Sequence, residues 1–311
     1  MRTASVLCVL ALLTIPSEAR ADCVAGIDGT TPIALVFSGG GAKGAWEAGA
    51  AAALIEDGVP ITLAAGSSAG ALNAAMVADG RVDRLEAAWR GLTRDDVYAI
   101  RPSVVVSGLL PGWLSARAIA SRESLLEPSR LRARLEAALD FDRIRGSTTR
   151  LLVVATDVVA RRARTFDNAT VTVDALMSSG AVPGLFPAVE VGGAWLVDGG
   201  IVARAPILEA LARDRPRRAL VLVSYSAGER GRAPTTVRRA VEEAFETAML
   251  HQIHRDVELA QLRHRDVEVQ TLAPSAALDL RPLDFEPAAL GRAFDRGRAD
   301  ARACVSVWRG R

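Results

Sequence analysis

Gly66-Ser67-Ser68-Ala69-Gly70 sets a serine between small residues, after the apolar run Ile61 to Ala65 and before the helix-prone stretch Ala69 to Ala78. This is the G-x-S-x-G pattern of a nucleophile elbow, in which a sharp strand-to-helix turn holds the serine in a strained conformation and exposes its hydroxyl. Ser68 is the candidate nucleophile, and Ser67 is a rival hydroxyl placed off centre. A serine needs a base to attack at neutral pH. Asp198 is one candidate, in Asp198-Gly199-Gly200 after Ala194-Trp195-Leu196-Val197, although Asp-Gly alone also marks a turn. The chain's histidines are His251, His254 and His264. A triad of Ser68, Asp198 and His251 is formally available and matches the α/β-hydrolase order. The alternative is an aspartate acting directly on the serine, in a water-poor pocket where carboxylate basicity rises. His251 and His254 sit one helical turn apart without a nearby third ligand, so no metal site is expected.

Gly39-Gly40-Gly41-Ala42-Lys43-Gly44 follows the apolar run Ile33 to Phe37 and opens a helix. Glycine lets backbone N–H groups approach a ligand, and the helix dipole behind them favours negative charge, either a phosphate or the oxyanion of acyl transfer. Gly39-x-Gly41-x-x-Gly44 also matches the dinucleotide fingerprint. That reading calls for an acidic residue closing the second strand, and Leu63-Ala64-Ala65-Gly66 has none. A P-loop fits worse, because Gly44 stands where Ser or Thr would hold magnesium. A dinucleotide-binding oxidoreductase is therefore the weakest alternative.

These motifs need a scaffold, and the chain alternates strand and helix signals. Leu151 to Thr156 and Leu220 to Ser224 are continuous apolar runs, as in buried parallel strands. Gly44–Asp57, Arg81–Arg90, Arg130–Leu139, Pro206–Arg213 and Val237–Arg263 read as helices, and Asp266–Leu272 as a late strand. Alternation of this kind predicts an α/β fold with a mostly parallel sheet and helices on both faces. Gly108 to Leu114 reads as an apolar, turn-rich loop that could cover a site or touch lipid. No linker separates two domains, so a single domain over 22–311 is expected.

The start of the chain carries Arg2, an apolar run from Ala4 to Ile15, then Pro16 and Ala19-Arg20-Ala21. That is the pattern of a secretory signal over 1–21, so the protein is expected to be exported, to the periplasm or beyond. Cleavage removes Cys8 and leaves Cys23 and Cys304 near the two ends, an even pair that suggests a disulfide. The 311 residues are half apolar, with 38 basic against 36 acidic side chains. A net charge of +2 gives no reason to expect nucleic acid as a partner. Lys43 is the sole lysine.

Taken together, the motifs resemble those of the patatin-like phospholipases. The resemblance rests on the loop Gly39 to Gly44, the elbow with its continuation Ala71-Leu72-Asn73-Ala74, the block Ser178 to Pro187, and Asp198-Gly199-Gly200. They fall in the family's order over roughly Ile33 to Leu211, with C-terminal helices and the late strand beyond. The resemblance implies a three-layer α/β/α fold and a Ser–Asp dyad without histidine, acting on acyl esters of lipids. By position, Ser68 is the nucleophile, Asp198 the general base, and Gly39, Gly40 and Gly41 the oxyanion hole. Lys43, Gly44, Gly66, Gly70, Gly199 and Gly200 support the motifs. Arg204 departs from the pattern, since Asn often stands there. No metal or organic cofactor is implied. The expected partner is a lipid or other acyl ester, with transient contact at a membrane surface. An acyltransferase would use the same dyad with an alcohol in place of water.

Overall fold

The computed structural model describes residues 30–108, 111–226 and 228–309. The expected signal segment 1–21 and Cys23 lie outside the described residues. Cys304, the other half of the expected disulfide, is buried in the last helix.

The core is an eight-stranded sheet in the order β10-β9-β1-β2-β5-β8-β7, with β6 paired to β5. Its parallel part comprises β1 (Ile33–Phe37), β2 (Ile61–Ser67), β5 (Arg150–Asp157), β9 (Arg218–Leu222) and β10 (Glu268–Leu272). The antiparallel part is β6 (Arg162–Phe166), β7 (Val189–Val191) and β8 (Ala194–Val197). A separate two-stranded sheet pairs β3 (Ala99–Ile100) with β4 (Leu126–Glu127). The central strands are largely apolar because both faces are covered. Along β1, Ile33, Leu35 and Phe37 enter one buried cluster and Ala34 and Val36 the other, the two-residue period of a strand.

On the first face lie α1 (Gly44–Glu56), α2 (Ala69–Asp79) and α3 (Val82–Arg90). The chain then makes four short helices, α4 (Arg94–Val97), α5 (Pro102–Gly108), α6 (Gly112–Ala120) and α7 (Ser129–Ala138), followed by α8 (Phe141–Arg145) and α9 (Val173–Ser179). The expected loop at Gly108 to Leu114 thus includes the end of α5 and the start of α6, with Pro111 at the N-cap of α6. On the second face lie α10 (Ile207–Arg213) and α11 (Val237–Arg263). The last helix, α12 (Pro287–Arg309), returns to the first face against α1.

Helix α1 is buried nearly all round, from Gly44 to Leu54. Its alanines and glycines permit this, because a Cβ on Gly49 would run into the Phe294 carbonyl of α12, and one on Gly297 into the Trp46 carbonyl. The Trp46 indole donates to Asp300 across the same contact at 2.8 Å. The layers therefore follow the expected α/β/α plan, with α12 as an addition that the sequence motifs did not announce.

Candidate active site

The chain passes from β1 to its neighbour β2 on one side and later to β9 on the other, so the loops after β1 and β2 open at the carboxyl edge of the sheet where the strand order reverses. Ligands in open α/β sheets bind at such a point. The glycine loop leaves β1, the serine elbow leaves β2, and Phe37 and Gly66 are register partners at this edge.

Ser68 has φ 55° and ψ −134°, a conformation rare for a side-chain-bearing residue, and one that costs on the order of 1–3 kcal/mol. The surrounding contacts enforce it. The Ser68 N–H donates to the Ser179 carbonyl at 3.1 Å and to its hydroxyl oxygen at 3.0 Å. Ser179 itself donates to the Val154 carbonyl at 2.6 Å, which locks the block before Asp198 to β5. Gly70 must lack a side chain, since a Cβ there would stand 2.8 Å from the Phe37 carbonyl and 2.9 Å from Gly39 N. The rival Ser67 points the other way, its hydroxyl 2.7 Å from the carbonyls of both Ala203 and Arg204.

Asp198 follows β8 and is buried. Its backbone is held by Asp198 N–H to Ala181 (2.9 Å) and by the Thr156 hydroxyl donating to its carbonyl (2.8 Å). Oδ1 accepts the Gly200 N–H at 2.7 Å, while the buried Oδ2 has no partner within hydrogen-bond distance. Burial pushes the carboxyl above the ordinary aspartate range. The nearby Arg204 charge, the Gly200 N–H and the Ser68 hydroxyl each act to lower it. Ser68 is thus near enough to act on the carboxyl, although its hydroxyl makes no hydrogen bond to Oδ2. Among the described residues, no hydrogen bond joins His251, His254 or His264 to Ser68 or Asp198. His251 and His254 are exposed on α11 along the cavity wall.

The glycine loop requires one correction. Gly39, Gly40 and Gly41 all have positive φ (69°, 123° and 58°). The Gly39 N–H is consumed, however, because it donates to the Glu47 carboxyl at 3.0 and 3.1 Å. Gly40 and Gly41 donate to no acceptor among the described residues, and both line the cavity beside Ser68. The available donors are therefore Gly40 and Gly41, and Gly39 is held as the hinge of the loop.

Glu47 was not singled out in the sequence, and a carboxylate inside an alanine-rich helix gives little reason to do so. It is fully buried and its Oε1 also accepts the Ser38 N–H and hydroxyl, both at 2.8 Å. Burial raises its pKa to about 8, against the lowering effect of those donors and of Arg204. The folded value exceeds the ordinary glutamate value of 4.5, so the protonated form is favoured by folding. The associated stability is present at low pH and lost as pH rises through about 8. Oε1 takes all three donors, so Glu47→Gln mimics the protonated side chain. We expect this variant to be more stable than wild type at pH 9 and nearly equal to it at pH 4, by urea denaturation. Parallel pH dependence of the two proteins would refute it.

Lys43 is also buried, which a charge at a helix start does not suggest. It pairs with Glu229 (3.2 Å) and with Glu246 of α11 (3.6 Å), and lies 3.9 Å above the Tyr225 ring. Ala42 N–H bonds the Pro282 carbonyl at 2.9 Å. The motif-free last third of the chain therefore holds the glycine loop from behind. Gly44 allows the start of α1 to meet α2, where Asn73 donates to the Gly44 carbonyl and accepts from Trp89. Gly199 packs against the Val154 carbonyl, too close for any side chain.

Ser68, Gly40 and Gly41 open into a cavity of about 1990 Å³. Leu72, Met76, Leu135, Leu185 and Phe186 are among its apolar lining residues. The volume exceeds that of an ordinary small-molecule pocket, about 300–1,000 Å³, and leaves room for a long apolar group.

Fold and site together define an α/β/α protein with a serine elbow, a buried aspartate and a glycine loop at one sheet edge. The family model described as patatin-like phospholipase matches residues 35–211, more than half of the chain. The chain belongs to the patatin-like phospholipase family. Among solved structures it is similar to VipD from Legionella pneumophila, at 17% identity and a TM-score of 0.46, covering 92% of this chain and 70% of that one. No curated protein matches.

Proposed function

We propose that the protein is an exported lipid acyl hydrolase that cleaves fatty-acyl esters through Ser68 and Asp198. The observation that carries this reading is the unpaired, buried Oδ2 of Asp198 beside a strained serine at the mouth of an apolar cavity. Asp198 takes the Ser68 proton as the serine oxygen bonds to the ester carbon. The carbonyl electrons move onto oxygen, where the Gly40 and Gly41 N–H groups receive the charge. On collapse, the Asp198 proton passes to the departing alcohol, and water then releases the fatty acid from the acyl-enzyme. Family membership supports the lipid substrate class. Transfer to an alcohol acceptor uses the same steps and is the second reading, for which the cavity of about 1990 Å³ leaves room for an acceptor beside the acyl chain.

The test is labelling by a fluorophosphonate, with the adduct mapped by mass spectrometry. Label on Ser68 is expected, and its absence from folded protein would sink the assignment. His251→Ala should keep wild-type hydrolysis of a p-nitrophenyl ester within about threefold, because the dyad has no role for the imidazole. A loss approaching that of Ser68→Ala would restore the triad.

Lipid contact fits the exposed apolar side chains of α5 and α6, where Val105 is 56%, Val106 64% and Trp113 73% accessible. Among the described residues no helix is long and apolar enough to cross a membrane. Exposed apolar groups of this kind suit surface docking, with aromatics at the headgroup level. Trp113→Ser should lower hydrolysis of phospholipid vesicles severalfold and leave a water-soluble ester untouched. Equal effects on both substrates would count against docking there.

A further inference from the structure

Arg204 is a buried cation, 5% exposed, whose guanidinium makes no hydrogen bond or ion pair among the described residues. Its Nε is wholly enclosed and unpaired. Carboxylates are near: Asp198 and Glu47 both feel its charge, as does the Tyr225 phenol. None reaches ion-pair distance. An unpaired buried charge costs stability, so its presence calls for a compensating role.

Its position suggests that role. A Cβ on Gly40 would lie 3.2 Å from Nη2, and one on Gly200 would lie 3.3 Å from Nη1. The guanidinium therefore stands between the turn that holds the base and the loop with the free N–H donors, and it lines the cavity. Carboxylates other than Asp198 do not neutralise it. Lys43 is already matched by Glu229 and Glu246, and Glu47, with its pKa near 8, is largely uncharged at neutral pH.

We propose that Arg204 is the fixed counter-charge of the dyad, holding Asp198 ionised in the resting protein and stabilising the oxyanion once negative charge has passed to the substrate. This rests on the dyad reading above. In the attack step the Ser68 O–H bond breaks and its proton goes to Asp198. The new O–C bond forms and the carbonyl electron pair becomes the oxyanion. One negative charge thus moves from the Gly200 side of Arg204 towards its Gly40 side, and the cation serves both ends without moving. Preorganised charge of this kind is worth most in an enclosed site.

The test compares wild type, Arg204→Met and Arg204→Lys on a neutral p-nitrophenyl ester and on phosphatidylcholine vesicles, over a range of pH. Arg204→Met should lower kcat/KM on the neutral ester by about 10²-fold or more in a protein that stays folded at the assay pH. Its acid limb should move to higher pH, since the group that lowers the Asp198 pKa is missing. Arg204→Lys should stay within about tenfold of wild type with the acid limb in place. Unchanged kcat/KM and acid limb in the Met variant would overturn the proposal. So would a loss confined to phosphatidylcholine, which would make Arg204 a reader of the phosphodiester. An unfolded Met variant together with a folded but inactive Arg204→Lys would also overturn it, by showing that a cation at this position does not support the reaction. A wild-type protein that hydrolyses neither substrate would instead overturn the dyad itself, whereas an active wild type with an indifferent Met variant removes only Arg204.

Discussion

Asp198→Asn is expected to lower ester hydrolysis and fluorophosphonate labelling of Ser68 by about 10³-fold or more, while the protein stays folded. The amide keeps the shape of the carboxyl and its oxygen can still accept the Gly200 N–H. What it lacks is a basic lone pair at the position of Oδ2, the unpaired atom. The wild-type pH profile should show the same group. Burial raises its pKa, so the rate should fall with decreasing pH through an acid limb above the ordinary aspartate range. Stability runs in the opposite sense. A folded pKa above the unfolded one contributes stability at low pH that is lost as pH rises. Asp198→Asn should therefore gain on wild type in Tm as pH increases. Retention of more than a tenth of the activity would show that another group takes the proton.

The second large effect is expected from Gly66→Ala. A Cβ there would run into the Gly70 carbonyl and lie 2.8 Å from Ala71 N, all main-chain atoms of the elbow. Main chain cannot swing aside as a long side chain can, so the turn must open. We expect a loss of about 3 kcal/mol or more in urea denaturation, accompanied by loss of Ser68 labelling in whatever remains folded. Gly58→Ala is the comparison. Gly58 has φ 79° with no atom within 4 Å of its would-be Cβ, so only backbone conformation is penalised, at about 1 kcal/mol. Similar losses at the two sites would mean that the elbow is not closely packed.

Much of this site was legible in the chain because its parts are local. A strand, a small-residue turn and a helix within ten residues fix Ser68 in its strained geometry, and Gly66 and Gly70 are readable as the residues that make room. The Asp198 turn is local in the same way, with Oδ1 on the Gly200 N–H two residues later. The alternating apolar runs gave the parallel strands, because a strand buried on both faces has no polar side to disguise it. The edge strands β6 and β7 were harder, being short and partly exposed.

What the linear order could not convey was which polar groups satisfy one another across long separations. Gly39 looked equal to Gly40 and Gly41, but Glu47 takes its N–H. Lys43, the sole lysine, reads as support for its motif, and only the fold pairs it with Glu229 and Glu246, about two hundred residues away. Arg204 looked like a local departure and proves to be a buried cation whose guanidinium has no partner among the described residues. By itself, then, the sequence determined the class of chemistry, since steric demands on a turn are written in neighbouring residues. Only the tertiary structure decided which donors and charges are free to perform it, because availability depends on what every other segment has already claimed.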